Sequence, residues 1–227
     1  LNATPRPLST ARALIKEPKE EMMSRYSFLK FIILAVAISS LLIAGCTATT
    51  GTTRLYVLQS LSTTEAEMET KRIDEPVAIG IGSIEFPEYL DRPQIVTRTS
   101  ESELHLAEFN QWAVPLKDDF SRALAEDLSV LLFTDNIFIF PWKRSTVIDY
   151  HVTMKITRFD TDTKGESMLV ANWSVLKGDD KTELLSRKSV LKEQTDGQDY
   201  KAIVSAMSRN LNGLSLEIAK TIEEGLK

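Results

Sequence analysis

The hydrophobic pattern of this chain changes period several times. Over residues 31–45 it is nearly continuous, FIILAVAISSLLIAG, broken only by Ser39 and Ser40. From residue 54 it alternates. RLYVL (54–58), VAIGIGSIEF (77–86, with Val77, Ile79 and Ile81 to one side) and QIVTRTSESELHLAEF (94–109) predict strands, the last a hairpin turning near TSES. The polar stretch STTEAEMETKRIDE (62–75) predicts a loop. At Leu116 the period lengthens: Leu116, Phe120, Leu124, Leu128 and Leu131 make one helical stripe, with Lys117, Asp118, Arg122, Glu126 and Asp127 mostly opposite. Pro115 falls at the first turn of that helix, where a missing N–H costs nothing.

IFIFPW (137–142) predicts a strand stopped by Pro141, and VIDYHVTMKITRF (147–159) is the clearest alternation in the chain. MLVANWSVLK and ELLSRKSVLKEQ flank GDDKT and predict a second hairpin. A last helix is expected over about 199–224, its stripe formed by Ile203, Met207, Leu211, Leu214, Ile218 and Ile222. Arg209, Lys220 and Glu223 lie outside the stripe, and Gly213 costs the helix about 1 kcal/mol against alanine. Strands, helix, strands, helix leaves too few crossover helices for a doubly wound sheet. The pattern predicts an α+β single domain, a largely antiparallel sheet with two amphipathic helices packed on it.

The continuous run is too short to span a bilayer. Fifteen helical residues cover about 22 Å, against about 30 Å of hydrocarbon. Arg25 and Lys30 precede it, and the small polar residues TATTGTT follow. That is the form of an export signal. Its exit, Ile43-Ala44-Gly45-Cys46, resembles the bacterial lipobox, in which the thiol takes a diacylglycerol, the leader is cut before the cysteine and the new amino terminus is acylated. A thiolate is a good nucleophile for that alkylation. The alternative, an inert cysteine in a core helix, leaves the flanks unexplained. Residues 1–21 read as an extension upstream of a start at Met22 or Met23, residues 22–45 as a lipoprotein signal peptide, 46–53 as a lipidated tether and 54–227 as the folded domain.

Composition narrows the partners. The product 46–227 has 182 residues and loses six of 27 basic and three of 32 acidic side chains with the leader, leaving a formal net charge of −8. That length supports one domain with a proper core. An acidic balance argues against nucleic acid, whose phosphates need clustered positive charge. With Cys46 as the sole cysteine, no internal disulfide can form.

Little catalytic chemistry is available. His105 and His151 are the only histidines, each within an alternating stretch, so neither a metal site nor another cofactor is called for. The GIG of residues 80–82 lacks the third glycine of a dinucleotide turn, since Glu85 stands there. Glycines inside a strand point instead to a bulge or a close backbone approach. Asp160/Asp162 and Asp179/Asp180 read as solvated turn acids. Asn172-Trp173-Ser174 matches a glycosylation sequon in mid-strand and is set aside. Nothing here argues for catalysis, and a binding or scaffolding role fits better.

One segment stands out: FPEYLDRPQIVTR (86–98). Pro87 and Pro93 stiffen it, which lowers the entropy lost on docking. Tyr89 and Arg92 are residue types enriched in tight interfaces. Equally, it reads as a rigid connection in which Asp91 and Arg92 pair with each other. Trp112 and Trp142 suit the same surface or the core.

The lipobox, LYVL, PEYLDRPQIVTR, QWAVPL before a helix ending LSVLL, and FPW follow one another in the order of the PqiC-like ABC-type transport auxiliary lipoproteins, which this chain resembles over about residues 46–225. The resemblance implies a non-enzymatic outer-membrane lipoprotein facing the periplasm. It would act as adaptor to a PqiB-like MCE-domain membrane protein in intermembrane lipid transport, would contribute to membrane integrity, and could assemble as a homo-oligomeric ring. Carried over by position as partner-binding residues are Pro87, Tyr89, Leu90, Asp91, Arg92, Pro93, Gln94, Arg98, Trp112 and Trp142, with Pro115 and Pro141 as further matching positions. Val114 stands where the family has Glu before its Pro-Leu pair, so no carboxylate role transfers there. Thr47 suits outer-membrane sorting, since inner-membrane retention typically uses Asp. The competing readings are a lipidated envelope enzyme, which needs a polar cleft with converging acids, and a monomeric lipid-binding chaperone, which needs an apolar pocket of several hundred Å³.

The anchor is directly testable. Mass spectrometry of the native product is expected to show an amino-terminal Cys46 carrying three acyl chains. Cys46→Ser is expected to leave the leader attached, and a free thiol on an uncut wild-type chain would refute the assignment.

Overall fold

Tyr150–Asp162 organises everything around it. In the computed structural model, which describes residues 25–26, 28–35, 51–62, 77–178 and 180–226, the chain divides into two units, Leu1–Thr50 and Gly51–Lys227. Of the first unit, residues 25–26 and 28–35 are helical, with exposed side chains. Cys46, most of the 62–75 stretch and Asp179 lie outside the described residues. Among the described residues no helix is long and apolar enough to cross a membrane.

The described residues of the second unit form eight strands and two long helices. In chain order the strands are β1 (Arg54–Tyr56), β2 (Ile79–Glu85), β3 (Gln94–Arg98), β4 (Leu104–Trp112), β5 (Ile137–Ile139), β6 (Tyr150–Asp162), β7 (Glu166–Lys177) and β8 (Thr182–Gln194). The helices are α1 (Leu116–Leu131) and α2 (Tyr200–Gly225). Each expected element is present, and both hairpins, β3–β4 and β7–β8, are antiparallel.

The sheet is mixed, however, not largely antiparallel. Its path is β1-β4-β3-β6-β2-β5, with β7 and then β8 continuing from β6. The pairs β1–β4, β2–β5, β2–β6 and β3–β6 are parallel. Counting crossover helices underestimates parallel pairing, because a parallel neighbour requires only a connection long enough to bring the chain back. Here β2 reaches β6 through the whole of β3, β4, α1 and β5.

One edge of β6 pairs with β7 along almost its full length. The other edge is shared. β2 takes Tyr150 to Lys155, and β3 takes Thr161 and Asp162. Among the described residues no strand pairs with 156–160 on that side, and the segment 86–93 connects β2 to β3 across the gap. Gly80 and Gly82 serve the sheet as expected. The β2–β6 register shifts between Ile81 and Ile84, and a side chain at Gly80 would press on Trp142 and Ile148.

The core lies between this sheet and the helices. Leu116, Phe120, Leu124, Leu128 and Leu131 of α1 are buried, as are Met207, Leu211, Leu214, Ile218 and Ile222 of α2, whereas Ile203 is half-buried. Each fully buried aliphatic side chain contributes about 1.5–3 kcal/mol. Gly213 does more than weaken α2. A methyl group there would come within 2.8 Å of Leu191 Cδ2, so glycine lets the helix sit close on β8. Trp173 Nε1 donates to buried Ser189, which in turn donates to Glu217 of α2, fastening β7, β8 and helix together.

A strap, residues 57–62, leaves β1 and crosses α1 and α2 without joining the sheet. Its backbone groups therefore need side-chain partners. The Leu58 N–H donates to Asp119 Oδ2 (2.6 Å), Gln59 to Ser208 Oγ (2.9 Å) and Leu61 to Asp127 Oδ1 (2.7 Å). Arg122 pairs with Asp119 and Glu126, each at 2.7 Å, and donates to the Leu58 carbonyl. Asp127, expected on the outer face of α1, is thus fully buried. The helix keeps the expected period, but the strap covers part of its polar face.

Burial pushes the Asp127 carboxyl up from its usual 3.8 to about 6, although the Leu61 N–H and the Ser215 hydroxyl oppose the shift. The native state therefore holds this proton to higher pH than the unfolded chain. The group's stabilising contribution is complete below about pH 4 and is lost as pH rises through 6. Asp127→Asn, which does not titrate, is expected to gain on the wild type by up to about 3 kcal/mol between pH 4 and pH 7. Urea unfolding across that range checks this, and a pH-independent difference would contradict it.

Candidate functional site

The PEYLDR segment crosses the gap in the sheet edge as a short 3-10 turn, Glu88–Leu90. Pro87, at φ −61° and ψ 138°, enters it extended, which suits a ring that locks φ. The Leu90 N–H donates to the Pro87 carbonyl (3.0 Å) and Asp91 to Glu88 (3.1 Å). The Pro93 carbonyl then accepts from the Trp112 N–H at 2.7 Å, seating the end of the turn on β4.

Both ends of the turn are held on the helix side of the sheet. Phe86 meets Phe120 of α1 edge-on, 5.2 Å between ring centroids, and Leu90 is buried in the core. Phe120 also meets Phe159 edge-on at 5.6 Å, which fixes Phe159 to the helix side of β6. The β6–β7 register shifts between Ile156 and Arg158, and this bulge resets the alternation. Asp160 consequently points away from the helices, opposite Phe159.

Asp160 is nevertheless fully buried, because the turn and its neighbours cover it. Tyr89 Oη donates to Oδ2 at 3.3 Å, Arg98 Nη2 to Oδ2 at 2.9 Å and Arg158 Nε to Oδ1 at 2.8 Å. Burial, followed by the Asp160 charge, raises the Tyr89 hydroxyl above its ordinary pKa. The Arg98 guanidinium is also raised, chiefly by its hydrogen bond to Asp160. Tyr89 and Arg98, both expected at a partner surface, therefore serve first as an internal clamp. Asp160, expected as a solvated turn acid, is the centre of that clamp.

What the turn presents to solvent is Glu88, Asp91 and Pro93, with half-buried Pro87 and Arg92 beside them. Asp91 and Arg92 do not pair with each other among the ion pairs of the described residues, and Arg92 Nε is buried with no hydrogen-bond partner. A hollow of about 160 Å³ lies alongside, lined by Phe86, Glu88, Leu90, Asp91 and Lys117. Gln94 begins β3 opposite Gln111 of β4. Trp112 is buried in the core.

Trp142 is placed elsewhere. It packs edge-on to Phe140 at 5.6 Å and against His151, beside Gly80 at the start of β2. The PEYLDR turn begins after the other end of that strand, roughly 15 Å away at the usual strand rise. Sequence reasoning missed Arg158 and Asp119. The one available hint was a charged residue inside an otherwise alternating segment, as in TRFD (157–160).

A larger cleft of about 620 Å³ lies at the β6–β7 turn and the first turn of α2, lined among others by Thr97, Asp162, Gln194, Asp196 and Tyr200. Its acids are engaged. Asp162 Oδ1 accepts from the N–H groups of Lys164 and Glu166, and Asp196 pairs with Arg209 at 3.1 Å. Its wall is largely polar, unlike an apolar lipid pocket. Among the described residues no three His, Cys, Asp or Glu side chains form a group able to hold a metal ion.

Comparison with known proteins gives a family. The model of the ABC-type transport auxiliary lipoprotein component matches residues 56–219. The fold is similar to the crystal structure of a Xanthomonas campestris protein of the DUF330 family, with 15% identity, a TM-score of 0.59, and 76% of this chain and 98% of that one covered. It is also similar to the crystal structure of an uncharacterized protein, with 20% identity, a TM-score of 0.56, and 68% and 99% covered. No curated protein matches the chain.

Removing the centre of the clamp is expected to loosen the turn. Asp160→Ala leaves Arg98 and Arg158 facing each other and is expected to cost roughly 2–4 kcal/mol, moderated because both cations keep some contact with water. Tyr89→Phe, which loses one long hydrogen bond, is expected to cost no more than about 1 kcal/mol. Urea midpoints measure both, and a negligible effect of Asp160→Ala would remove the clamp from the account.

Proposed function

Since the chain belongs to the ABC-type transport auxiliary lipoprotein family, matched over residues 56–219, we propose that it is a lipid-anchored, non-enzymatic adaptor at the periplasmic face of the outer membrane. In this reading it docks an MCE-domain protein of the inner membrane, supports lipid movement between the two membranes and so contributes to membrane integrity. A ring of several copies would present the docking turns around one opening.

The observation that carries the reading is the state of the PEYLDR turn. Its base is clamped through Tyr89 and Asp160, while its outer side offers two prolines, exposed Asp91 and an Arg92 that has no ion-pair partner among the described residues. A pre-ordered turn loses little entropy on docking. An unneutralised guanidinium can take a carboxylate of the partner as a forked pair. The family description supports an auxiliary component and not a catalytic one.

Arg92 gives the test. Arg92→Glu is expected to reduce capture of the MCE-domain partner about tenfold, with a steep salt dependence in the wild type, while the unfolding midpoint stays within about 1 kcal/mol. Equal recovery of the partner by the variant in pull-down would count against this docking surface.

A further inference from the structure

On the far side of β2 from the PEYLDR turn, β5 and the loop after it hold an unusual combination of side chains. Ile139 is 42% exposed, Phe140 56% and Val147 72%, all within nine residues, and Pro141 is exposed between them. Trp142 packs on Phe140 and is half-buried. Beside these apolar groups stand Lys143 and Arg144, both exposed and neither in an ion pair among the described residues. From residue 137 to residue 148 the sequence IFIFPWKRSTVI contains two cations and no acid, in a chain whose formal net charge is −5.

We propose that this 139–147 surface docks onto an anionic phospholipid bilayer. The chemistry of the patch selects that occupant. Trp and Phe beside Lys and Arg match the depth profile of a bilayer interface, where aromatic rings sit at headgroup level and basic ends meet phosphate. An acidic protein is generally repelled by an anionic surface, so a local acid-free cationic run gives the contact its charge complementarity. Phe140 and Trp142 support each other edge-on, so the apolar part of the patch is already formed. Beside a lipid anchor, such a patch would not add the main holding force. It would set which way the domain faces.

The experiment uses the unit Gly51–Lys227, which has its own core and no acylation site. Its outcome is therefore independent of both Cys46 and any MCE-domain partner. The unit is mixed with vesicles of phosphatidylethanolamine and phosphatidylglycerol, some carrying brominated chains. Trp112 and Trp173 are buried, so fluorescence quenching reports Trp142. The expected result is a blue shift and quenching with phosphatidylglycerol vesicles, weakened by high salt and by replacement with phosphatidylcholine. The double variant Lys143→Glu, Arg144→Glu is expected to lower the partition coefficient at least tenfold, and Phe140→Ser several-fold, both with the wild-type unfolding midpoint. No quenching by any vesicle would overturn the proposal. So would both variants partitioning like the wild type, and so would capture of a protein at this face in the absence of vesicle binding.

Discussion

The fold depends on how the chain fills a gap in its own sheet. Strand β6 is 13 residues long, and the two short strands beside one of its edges leave residues 156–160 without a neighbour. A chain segment in such a gap has no ladder to join, so something else must hold it. Asp160 does so. One buried carboxylate takes hydrogen bonds from Tyr89 on the turn, Arg98 on β3 and Arg158 on its own strand. Burying a lone carboxylate is costly, and two cations and a hydroxyl offset that cost only in this geometry.

The same solution recurs on the helix side. The strap at 57–62 crosses α1 and α2 outside the sheet, and Asp119 and Asp127 take its N–H groups. Both irregular segments are thus tied by acids from regular elements. Neither Asp119 nor Asp160 is free for chemistry, and the acids of the larger cleft are likewise engaged with a turn and with Arg209. This is the physical content behind reading the domain as a scaffold that presents surfaces.

Two such surfaces are proposed, one after the C-terminal end of β2 and the other along its N-terminal half. One is the PEYLDR turn with Arg92, proposed to meet a protein partner. The other is the aromatic and basic run after β5, suited to a bilayer. In the proposed adaptor role, the membrane and the protein would meet two different faces of this one domain.

Much of this was legible in the sequence. The alternation in 147–159, the five-residue stripe from Leu116 and the turn residues between β7 and β8 determined elements, hairpins and helices, because side-chain period follows directly from backbone geometry. The reading of the run ending in Cys46 as a lipidation signal rests on local chemistry alone. What the sequence by itself left open was every choice made between distant segments. Parallel pairing of β2 with β6 depends on where a long connection returns. Burial of Asp127 depends on a strap from far along the chain, and that of Asp160 on a bulge that turns one residue to the other face. Trp112 entered the core while Trp142 went to the surface side, although each lies within three residues of both a strand end and a proline. Local pattern sets what a segment becomes. Only the packed structure decides what covers it, because burial is a property of the neighbour as much as of the residue.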